Sequence, residues 1–390
     1  MKKICVITAT RAEYGLLRPL IESIEKDKDL QLQLMVTGMH LSPEFGLTYQ
    51  EIDKDGHRID EKIEILLSSD TSIGISKSMG LVLISFSEAY QRLKPDFIIV
   101  LGDRYEIFAA VSAACIAQIP VAHLHGGESS EGAFDEAFRH CITKMSYLHF
   151  TSTEEYRKRV IQLGEHPDRV FNVGAIGIEN IKKLKLFSKE ALENNLGFRF
   201  GKRTLLVTFH PVTLENNTSR EQFKNLLDAF DEIFDEMEDL KIIFTKANSD
   251  TDGRIINRMI DEYCKNNEEK ALGFTSLGQL RYLSAMKHVD AVVGNSSSGI
   301  IEAPTFKIPT VNIGDRQKGR IQAETVINCK PQKNEIMESL KMVFSEKFKE
   351  KIRDVRNPYG TGKTSCEIIR RVKAVLSEEI NLKKEFYNIH

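Results

Sequence analysis

Short apolar runs alternate with longer amphipathic stretches along the N-terminal half of the chain. The run at 97–103 is continuously apolar up to a final Gly-Asp pair, which is typical of a strand buried on both faces of a parallel sheet. The longer stretches carry apolar residues at helical spacing and predict helices at 16–26, 73–93 and 107–118. Strands are predicted at residues 3–8, 32–38, 97–103, 120–127, 148–153 and 170–175.

The second half repeats this rhythm. Strands are predicted at 203–211, 240–248, 291–299 and 309–320, the last two including the turns that follow them. Helices are predicted at 222–237, from about residue 300, and from Thr364 to the end. Strand–helix repetition of this kind predicts an α/β protein with mostly parallel sheets and helices on both faces.

The double repetition predicts two Rossmann-like, doubly wound domains. We place the N-terminal domain at 1–175 and the C-terminal domain at 176–365, with a helix at 366–390 packing back on the N-terminal domain. In such sheets ligands bind beyond the carboxyl ends of the strands. Two domains that face one cleft would bring both sets of strand ends to one ligand, so residues just after strands are the candidates for function.

Composition excludes several classes of function. Lys and Arg number 54 against 56 Asp and Glu, and this balance argues against nucleic-acid binding through bulk charge. No apolar run approaches the roughly 20 residues that span a bilayer. The first apolar run leads into Arg11 and Glu13, which favours a strand over a signal peptide. None of the six cysteines forms a CxxC pair, so we expect a reduced, cytoplasmic protein.

Two strand ends are candidates for binding an anion. Arg11 lies where the first strand leads into a helix, a position that suits a diphosphate, although pairing of Arg11 with a surface carboxylate explains it equally well. The GxGxxG fingerprint of dinucleotide-binding enzymes is absent there. The second candidate is Gly294–Gly299, where Ser296 and Ser297 and successive N–H groups could cradle a phosphate.

Charged residues near this second loop extend the candidate site. Glu302 could complete a helix capping box, or it could accept hydrogen bonds from ribose hydroxyls. Arg316 and Arg320 follow the next strand and could close on the same phosphates.

Titratable groups gather at successive strand ends. Such a cluster is what proton abstraction and return require. Two weaker alternatives are a local pair of Asp103 with Arg104, and a metal site drawn from His123, His125, Glu128 or His140. The cluster consists of Asp103, His125, Glu128, Asp135 and His210.

Nine motifs, taken together and in their order, resemble those of the UDP-N-acetylglucosamine 2-epimerases, and most closely the hydrolysing bacterial type that serves sialic acid synthesis. The resemblance covers nearly the whole chain. The motifs are TRAEYG, VTGMH, LGDRYEIF, HLHGGE, FDEAFRHCITK, LHFTSTEEYRKRVIQLGE, FHPVT, GNSSSGIIEAP and NIGDRQKGR.

This resemblance implies two Rossmann-like domains of the GT-B type, a homodimer or homotetramer, and no metal or other cofactor. The implied reaction converts UDP-N-acetylglucosamine and water to N-acetylmannosamine and UDP, by elimination to 2-acetamidoglucal and then hydration. This is the first step toward sialic acid and capsule polysaccharide.

The resemblance also assigns roles. It implies acid or base roles for Asp103 and Asp135 and places His210 near the departing diphosphate. His125 stands where many members have Glu, so either His125 or Glu128 is the proton carrier. The positions implied to bind UDP are Arg11, Arg104, Asn248, Ser296, Ser297, Glu302 and Arg316.

Three alternatives stay open. A hydrolysing 2-epimerase for UDP-diacetylbacillosamine, on the legionaminic acid route, would use the same core residues. The HLHGGE and GNSSSG motifs favour N-acetylglucosamine over that sugar. A GT-B glycosyltransferase or a nucleotide-sugar sensor would share the phosphate loop but would not need the acidic cluster at Asp103, Glu128 and Asp135.

Overall fold

A computed structural model describes residues 1–67, 71–131, 134–212, 218–247, 252–360 and 362–389. The chain divides into two compact units, and the first of them is discontinuous in sequence. The first unit comprises Met1–Glu128, Asp135–Lys182 and Tyr359–His390, and the second comprises Ser129–Phe134 and Lys183–Pro358.

The first unit is built on a seven-stranded parallel sheet with the order β3-β2-β1-β4-β5-β6-β7. Its strands are β1 (Lys2–Thr8), β2 (Leu30–Thr37), β3 (Glu61–Ile63), β4 (Phe97–Leu101), β5 (Val121–Leu124), β6 (Leu148–Thr151) and β7 (Val170–Asn172). Its helices are α1 (Arg11–Glu25), α2 (Tyr49–Lys54), α3 (Ser72–Leu93), α4 (Tyr105–Ile116), α5 (Asp135–Met145), α6 (Glu154–Gln162) and α7 (Ile176–Lys183), which ends at the unit boundary, and α15 (Thr364–Leu376).

Alternation along β1 explains why this sheet is covered on both faces. Cys5 and Ile7 pack into one apolar core with α3 and α4. Ile4 and Val6 point the other way, into a second core that includes α1 and α15. Because successive side chains of a strand face opposite sides, a continuously apolar strand requires helices on each side.

The second unit repeats the plan with a six-stranded parallel sheet in the order β10-β9-β8-β11-β12-β13. Its strands are β8 (Arg203–Thr208), β9 (Leu240–Thr245), β10 (Ala271–Phe274), β11 (Ala291–Gly294), β12 (Thr310–Ile313) and β13 (Val326–Cys329). Its helices are α8 (Lys189–Leu196), α9 (Ser219–Glu236), α10 (Gly253–Asn266), α11 (Gly278–His288), α12 (Ser297–Ile301), α13 (Lys333–Val343) and α14 (Glu346–Ile352).

The two sheets and their flanking helices confirm the predicted doubly wound α/β class. None of the helices that the structure describes is long and apolar enough to cross a bilayer. The structure differs from the sequence-based prediction in two ways, and each has a physical cause.

The first difference is the C-terminal helix, which was expected over 366–390 and ends at Leu376. Beyond it, Lys384 donates hydrogen bonds to the carbonyl oxygens of Lys144 and Ser146 and to the Glu165 carboxylate, at 2.8, 2.6 and 2.8 Å. Phe386 packs on Gly164. The basic and apolar residues of this tail anchor it to the first unit, so their spacing does not reflect a helix.

The second difference is a set of strands that the sequence pattern did not predict, namely β3, β10 and β13. All three lie at sheet edges and have only three or four residues. An edge strand is half-exposed, so its apolar signal is weak.

Candidate active site

Each sheet has one point where its strand order reverses. In the first unit this switch point lies between β1 and β4, and in the second unit it lies between β8 and β11. Doubly wound folds bind ligands in the crevice beyond the strand ends at such a point. Asp103 follows β4, while His210 follows β8, so the topology places these predicted residues at the expected crevices.

Arg139 is the hub of the first unit's site. Its side chain is only 2 % exposed, and it is among the largest fully buried side chains. One guanidinium nitrogen donates to the Asp103 carboxylate, and the other donates to the Glu128 carbonyl oxygen at 2.7 Å and to Glu136 at 2.7 Å. A planar, permanently charged donor therefore ties the loop after β4 to the loop after β5 and to helix α5.

This hub decides one open alternative from the sequence. Asp103 pairs with Arg139, whereas Arg104 pairs with Glu106 at 3.1 Å, so the suggested local pair of Asp103 with Arg104 is wrong. Asp135 is the first residue of α5, one turn before Arg139 on the same helix. The structure thus joins Asp103 and the backbone of Glu128 to one buried arginine, and Asp135 lies one turn earlier on the helix that carries this arginine.

His125 and Glu128 form a buried pair at the end of β5. The Nδ1 atom of His125 lies 2.9 Å from a Glu128 carboxylate oxygen, and the Ser152 hydroxyl donates to the same oxygen at 2.7 Å. The N–H of Ile176 donates to Nε2 of His125 at 3.3 Å. Because Nε2 accepts, the proton of the neutral ring resides on Nδ1 and is donated to Glu128. Both His125 nitrogens are thereby engaged with protein groups.

His123 is held in a similar way, which bears on the metal alternative. Its Nε2 lies 2.7 Å from the Gly102 carbonyl oxygen and its Nδ1 lies 3.0 Å from the Thr143 hydroxyl. Burial lowers the pKa of His123 to about 3, so the ring is neutral. Within the described part of the chain, no group of three or more His, Cys, Asp or Glu side chains is arranged to hold a metal ion.

The start of α1 differs from the expected phosphate cradle. The Glu13 carboxylate accepts the N–H groups of Ala9 and Thr10 at 2.8 and 3.1 Å, and Thr10 in turn caps the helix. Burial raises the pKa of Glu13 to about 7. Arg11 pairs with Glu51 at 2.6 Å, which is the surface pairing considered from the sequence.

The second unit's site is organised by Asn295. This fully buried side chain accepts the N–H of His210 at 2.7 Å and donates to the His210 carbonyl oxygen at 2.8 Å. The loop after β8 and the loop after β11 are therefore clamped together by a pair of hydrogen bonds. The clamp therefore fixes the backbone position from which the His210 side chain extends.

The three serines after Asn295 have different surroundings. Ser296 caps the short helix α12, and Ser297 is its first residue. Ser298 lies 2.5 Å from the Tyr282 hydroxyl and 3.2 Å from that of Ser296. Glu302 ends the helix instead of occupying its third position, which is Gly299, so the capping-box alternative for Glu302 is wrong.

The loop after β12 contributes a second contact to Asn295. Arg316 and Gln317 both donate to the Asn295 carbonyl oxygen, at 3.2 and 2.8 Å. Gln317 is 1 % exposed, and sequence analysis did not single it out. Asn248, which the sequence placed among the UDP ligands, lies outside the described residues.

Sequence reasoning did not single out three residues that organise the two candidate sites. Arg139, Asn295 and Gln317 position other groups, and their motifs carry no catalytic signature of their own. The sequence does hold a signal for Arg139, because it stands four residues after Asp135 and a helix would place both residues on one face.

Comparison with known proteins identifies relatives of this chain. A GDP/UDP-N,N'-diacetylbacillosamine 2-epimerase (hydrolyzing) from Campylobacter jejuni is 46% identical over 90% of this chain and 89% of its own. The polysialic acid biosynthesis protein P7 of Escherichia coli is 40% identical over 100% of this chain and 98% of its own.

Structural comparison agrees on the fold. The crystal structure of a UDP-GlcNAc 2-epimerase from Neisseria meningitidis bound to UDP-GlcNAc superposes with a TM-score of 0.80 at 20% identity, covering 96% of this chain and 100% of that one. The family model for UDP-N-acetylglucosamine 2-epimerase matches residues 22–373. The resemblance seen in the motifs is thereby confirmed, and the chain belongs to the UDP-N-acetylglucosamine 2-epimerase family.

Proposed function

We propose that this protein is a hydrolysing UDP-sugar 2-epimerase. The observation that carries the proposal is the buried Arg139, which holds Asp103 and the Glu128 loop at the switch point of the first unit. Acidic groups gathered there suit transfer of a proton. Family membership and the hydroxyl-rich loop of the second unit add support.

The reaction requires a base, a leaving group and a later proton donor. One carboxylate removes the proton from sugar carbon 2 while the bond from carbon 1 to UDP breaks. Water then adds to the glycal at carbon 1, and carbon 2 is protonated from the opposite face. The carbon 2 proton is weakly acidic, because no carbonyl lies next to it in the ring. Stabilisation of the departing UDP must therefore lower much of the barrier.

Within this scheme we assign Asp103, Glu128 and Asp135 to proton transfer. The hydrogen bonds of His125 support an orienting role toward Glu128, so we propose Glu128 as the proton carrier of the two. His210 is assigned to the departing diphosphate. The proposed ligands of UDP remain Arg11, Arg104, Asn248, Ser296, Ser297, Glu302 and Arg316.

For the sugar we now place UDP-N,N'-diacetylbacillosamine first. The relative that is 46% identical is named for that sugar, and this reverses the order expected from the sequence motifs. UDP-N-acetylglucosamine, with N-acetylmannosamine as product, is the second candidate. The 40% identity to a polysialic acid biosynthesis protein over the whole chain supports it.

Proton NMR in heavy water tests the reaction and the substrate together. Each UDP-sugar is incubated separately with purified protein. We expect free UDP and a 2-epimerised sugar with deuterium at carbon 2, fastest with the diacetylated sugar. Faster turnover of UDP-N-acetylglucosamine would reverse the substrate order. UDP-linked epimer without hydrolysis would indicate the non-hydrolysing reaction, and no turnover of either sugar would favour the glycosyltransferase or sensor alternative.

We also propose that the protein forms a homodimer through the outer face of α3. Lys77 and Glu88 lie on this face, eleven residues apart, and Gly80 between them has open space at its Cβ position. In an antiparallel pair of α3 helices related by a two-fold axis, each Lys77 would meet the partner's Glu88. The apolar residues of the face are Ile73, Leu81, Leu83 and Ile84, which are 67, 38, 47 and 62 % exposed.

Light scattering during size-exclusion chromatography tests this surface. Wild type is expected at twice the monomer mass of 44.3 kDa. Ile84→Lys should give monomer, because it places two like charges near the two-fold axis. Met342→Lys is the control, since Met342 is a similarly exposed apolar residue on α13. Monomeric wild type would reject the dimer, and dimeric Ile84→Lys would reject this face.

A further inference from the structure

A six-residue segment, which we call the excursion, belongs to the second unit although it lies in sequence between Glu128 and Asp135 of the first unit. The chain passes into the second unit after Glu128, as Ser129–Phe134, and returns to the first unit at Asp135. Both residues that flank this excursion are assigned above to proton transfer. Because Ser129 directly follows Glu128 in the chain, contacts that hold Ser129 also restrain the backbone of Glu128.

The excursion is held by the loop that follows β12. The N–H of Glu131 donates to the Lys318 carbonyl oxygen at 3.3 Å, and the Lys318 ammonium lies 3.3 Å from the Glu131 carboxylate. Ser129 lies against Gly319. A Cβ atom built on Gly319 would lie 2.6 Å from the Ser129 hydroxyl oxygen and 2.9 Å from its Cβ.

Gly319 is required there for two reasons. Its φ of +85° lies in the left-handed region that residues with a Cβ rarely adopt. The approach of Ser129 also leaves no room for a methyl group. Gly314 in the same loop shares the first constraint, with φ of +72°, but a Cβ there would meet only Pro331, at 3.9 Å. The chain therefore supplies a matched control.

The same loop is bonded to the proposed phosphate site. Arg316 and Gln317 donate to Asn295, whose side chain clamps His210. Gln317 is buried and is separated from Gly319 by one residue. A nucleotide that settles on Arg316 and the serine loop would thus stabilise the segment on which Ser129 and Glu131 rest.

We propose that Gly319, Ser129 and Glu131 are positioning residues that couple nucleotide binding to the placement of Glu128. In this scheme the loop after β12 contacts the diphosphate. Ser129 and Glu131 rest on that loop, so the position of the loop determines the position of Glu128. Proton removal at carbon 2 is thereby favoured only when UDP is seated. This inference rests on the proposed function for its catalytic meaning, but the coupling itself is measurable with UDP alone.

Hydrogen–deuterium exchange with UDP as the probe tests the coupling without turnover. In wild type we expect UDP to slow exchange in peptides covering 294–302 and also in those covering 125–135. In Gly319→Ala the first protection should persist and the second should be lost, while Gly314→Ala should keep both. No response of 125–135 to UDP in wild type would overturn the inference, whatever the enzyme's activity.

Kinetics give an independent measure. Gly319→Ala should lower kcat at least tenfold relative to Gly314→Ala, with UDP affinity within about threefold, because contact loss at the excursion spares the phosphate ligands. Adding Ser129→Gly should restore part of the lost kcat, since it removes the atoms that collide but also removes a positioning side chain. Equal kcat values for the two alanine variants, or a parallel loss of UDP affinity without rescue, would contradict the assignment.

The ion pair of Glu131 with Lys318 provides a second test if Gly319→Ala does not fold. Glu131 and Lys318 are half-exposed, so charge reversal there should leave the fold intact. Glu131→Lys and Lys318→Glu singly should lower kcat about two- to fivefold, and the double reversal should recover most of the loss. Additive losses in the double variant would count against the pair.

Discussion

The two switch points share a topology and differ in how their polar groups are held. In the first unit, a buried arginine binds side chains, and the amides at the start of α1 are already occupied by Glu13. In the second unit, the Asn295 side chain binds the backbone of His210. Ser296 and Ser297 follow it at the start of α12. The same scaffold thus carries a proposed acid–base site that is built from carboxylates and a proposed anion site that is built from hydroxyls and loops.

Arg139→Met should show how much the first site depends on its hub. The change leaves Asp103 and Glu136 without their guanidinium partner, and breaking a buried pair costs about 3–5 kcal/mol. Urea denaturation is the measurement, and turnover should be lost as well. Arg370→Met, which removes an exposed pair with Glu367, is the control and should leave the free energy of unfolding nearly unchanged. A loss for Arg139→Met as small as that of the control would refute the hub.

Asp103→Asn separates proton transfer from nucleotide binding. Asparagine keeps the size of the side chain but loses its basicity, so we expect kcat to fall by about 10²–10⁴. UDP affinity, measured by calorimetry, should stay within about threefold. If turnover and UDP affinity fell in parallel, the residue would have a structural role instead.

Glu13→Gln tests the capped start of α1 through pH. The pKa of Glu13 is raised to about 7, so between about pH 4.5 and 7 the folded chain holds a proton that the unfolded chain has released. The wild-type free energy of unfolding should therefore fall as pH rises through this window, by up to roughly 3 kcal/mol, and level off above it. Glu13→Gln should lack this contribution. Parallel pH profiles for the two proteins would contradict a raised pKa.

Arg316→Ala probes the second site and should have the smallest effect. Loss of a charge-assisted contact to phosphate is expected to weaken UDP binding about tenfold. Lys330→Ala is the control, since Lys330 pairs only weakly with Glu335 at the surface. Unchanged UDP affinity in Arg316→Ala would remove it from the proposed ligands.

Sequence patterns were sufficient for the central strands of both sheets but not for the edge strands β3, β10 and β13. Strands such as β4 are buried on both faces, so their apolar runs are unmistakable. The capping role of Glu13 was not predicted, because a carboxylate in the first turn also fits a solvent-exposed position. Arg139 escaped notice as a hub because two of its partners, Asp103 and Glu128, lie in separate loops that only the folded chain brings to helix α5.

The discontinuity of the first unit has a consequence for synthesis on the ribosome. Ile368 and Val372 of α15 contribute to the same core as β1, although more than 350 residues separate them in the chain. The second unit is almost continuous, from Lys183 to Pro358, and can complete its sheet as soon as that stretch emerges. The first unit cannot complete its core until α15 has also been synthesised. Chaperone demand should therefore concentrate on a nascent chain whose earliest strands are finished last.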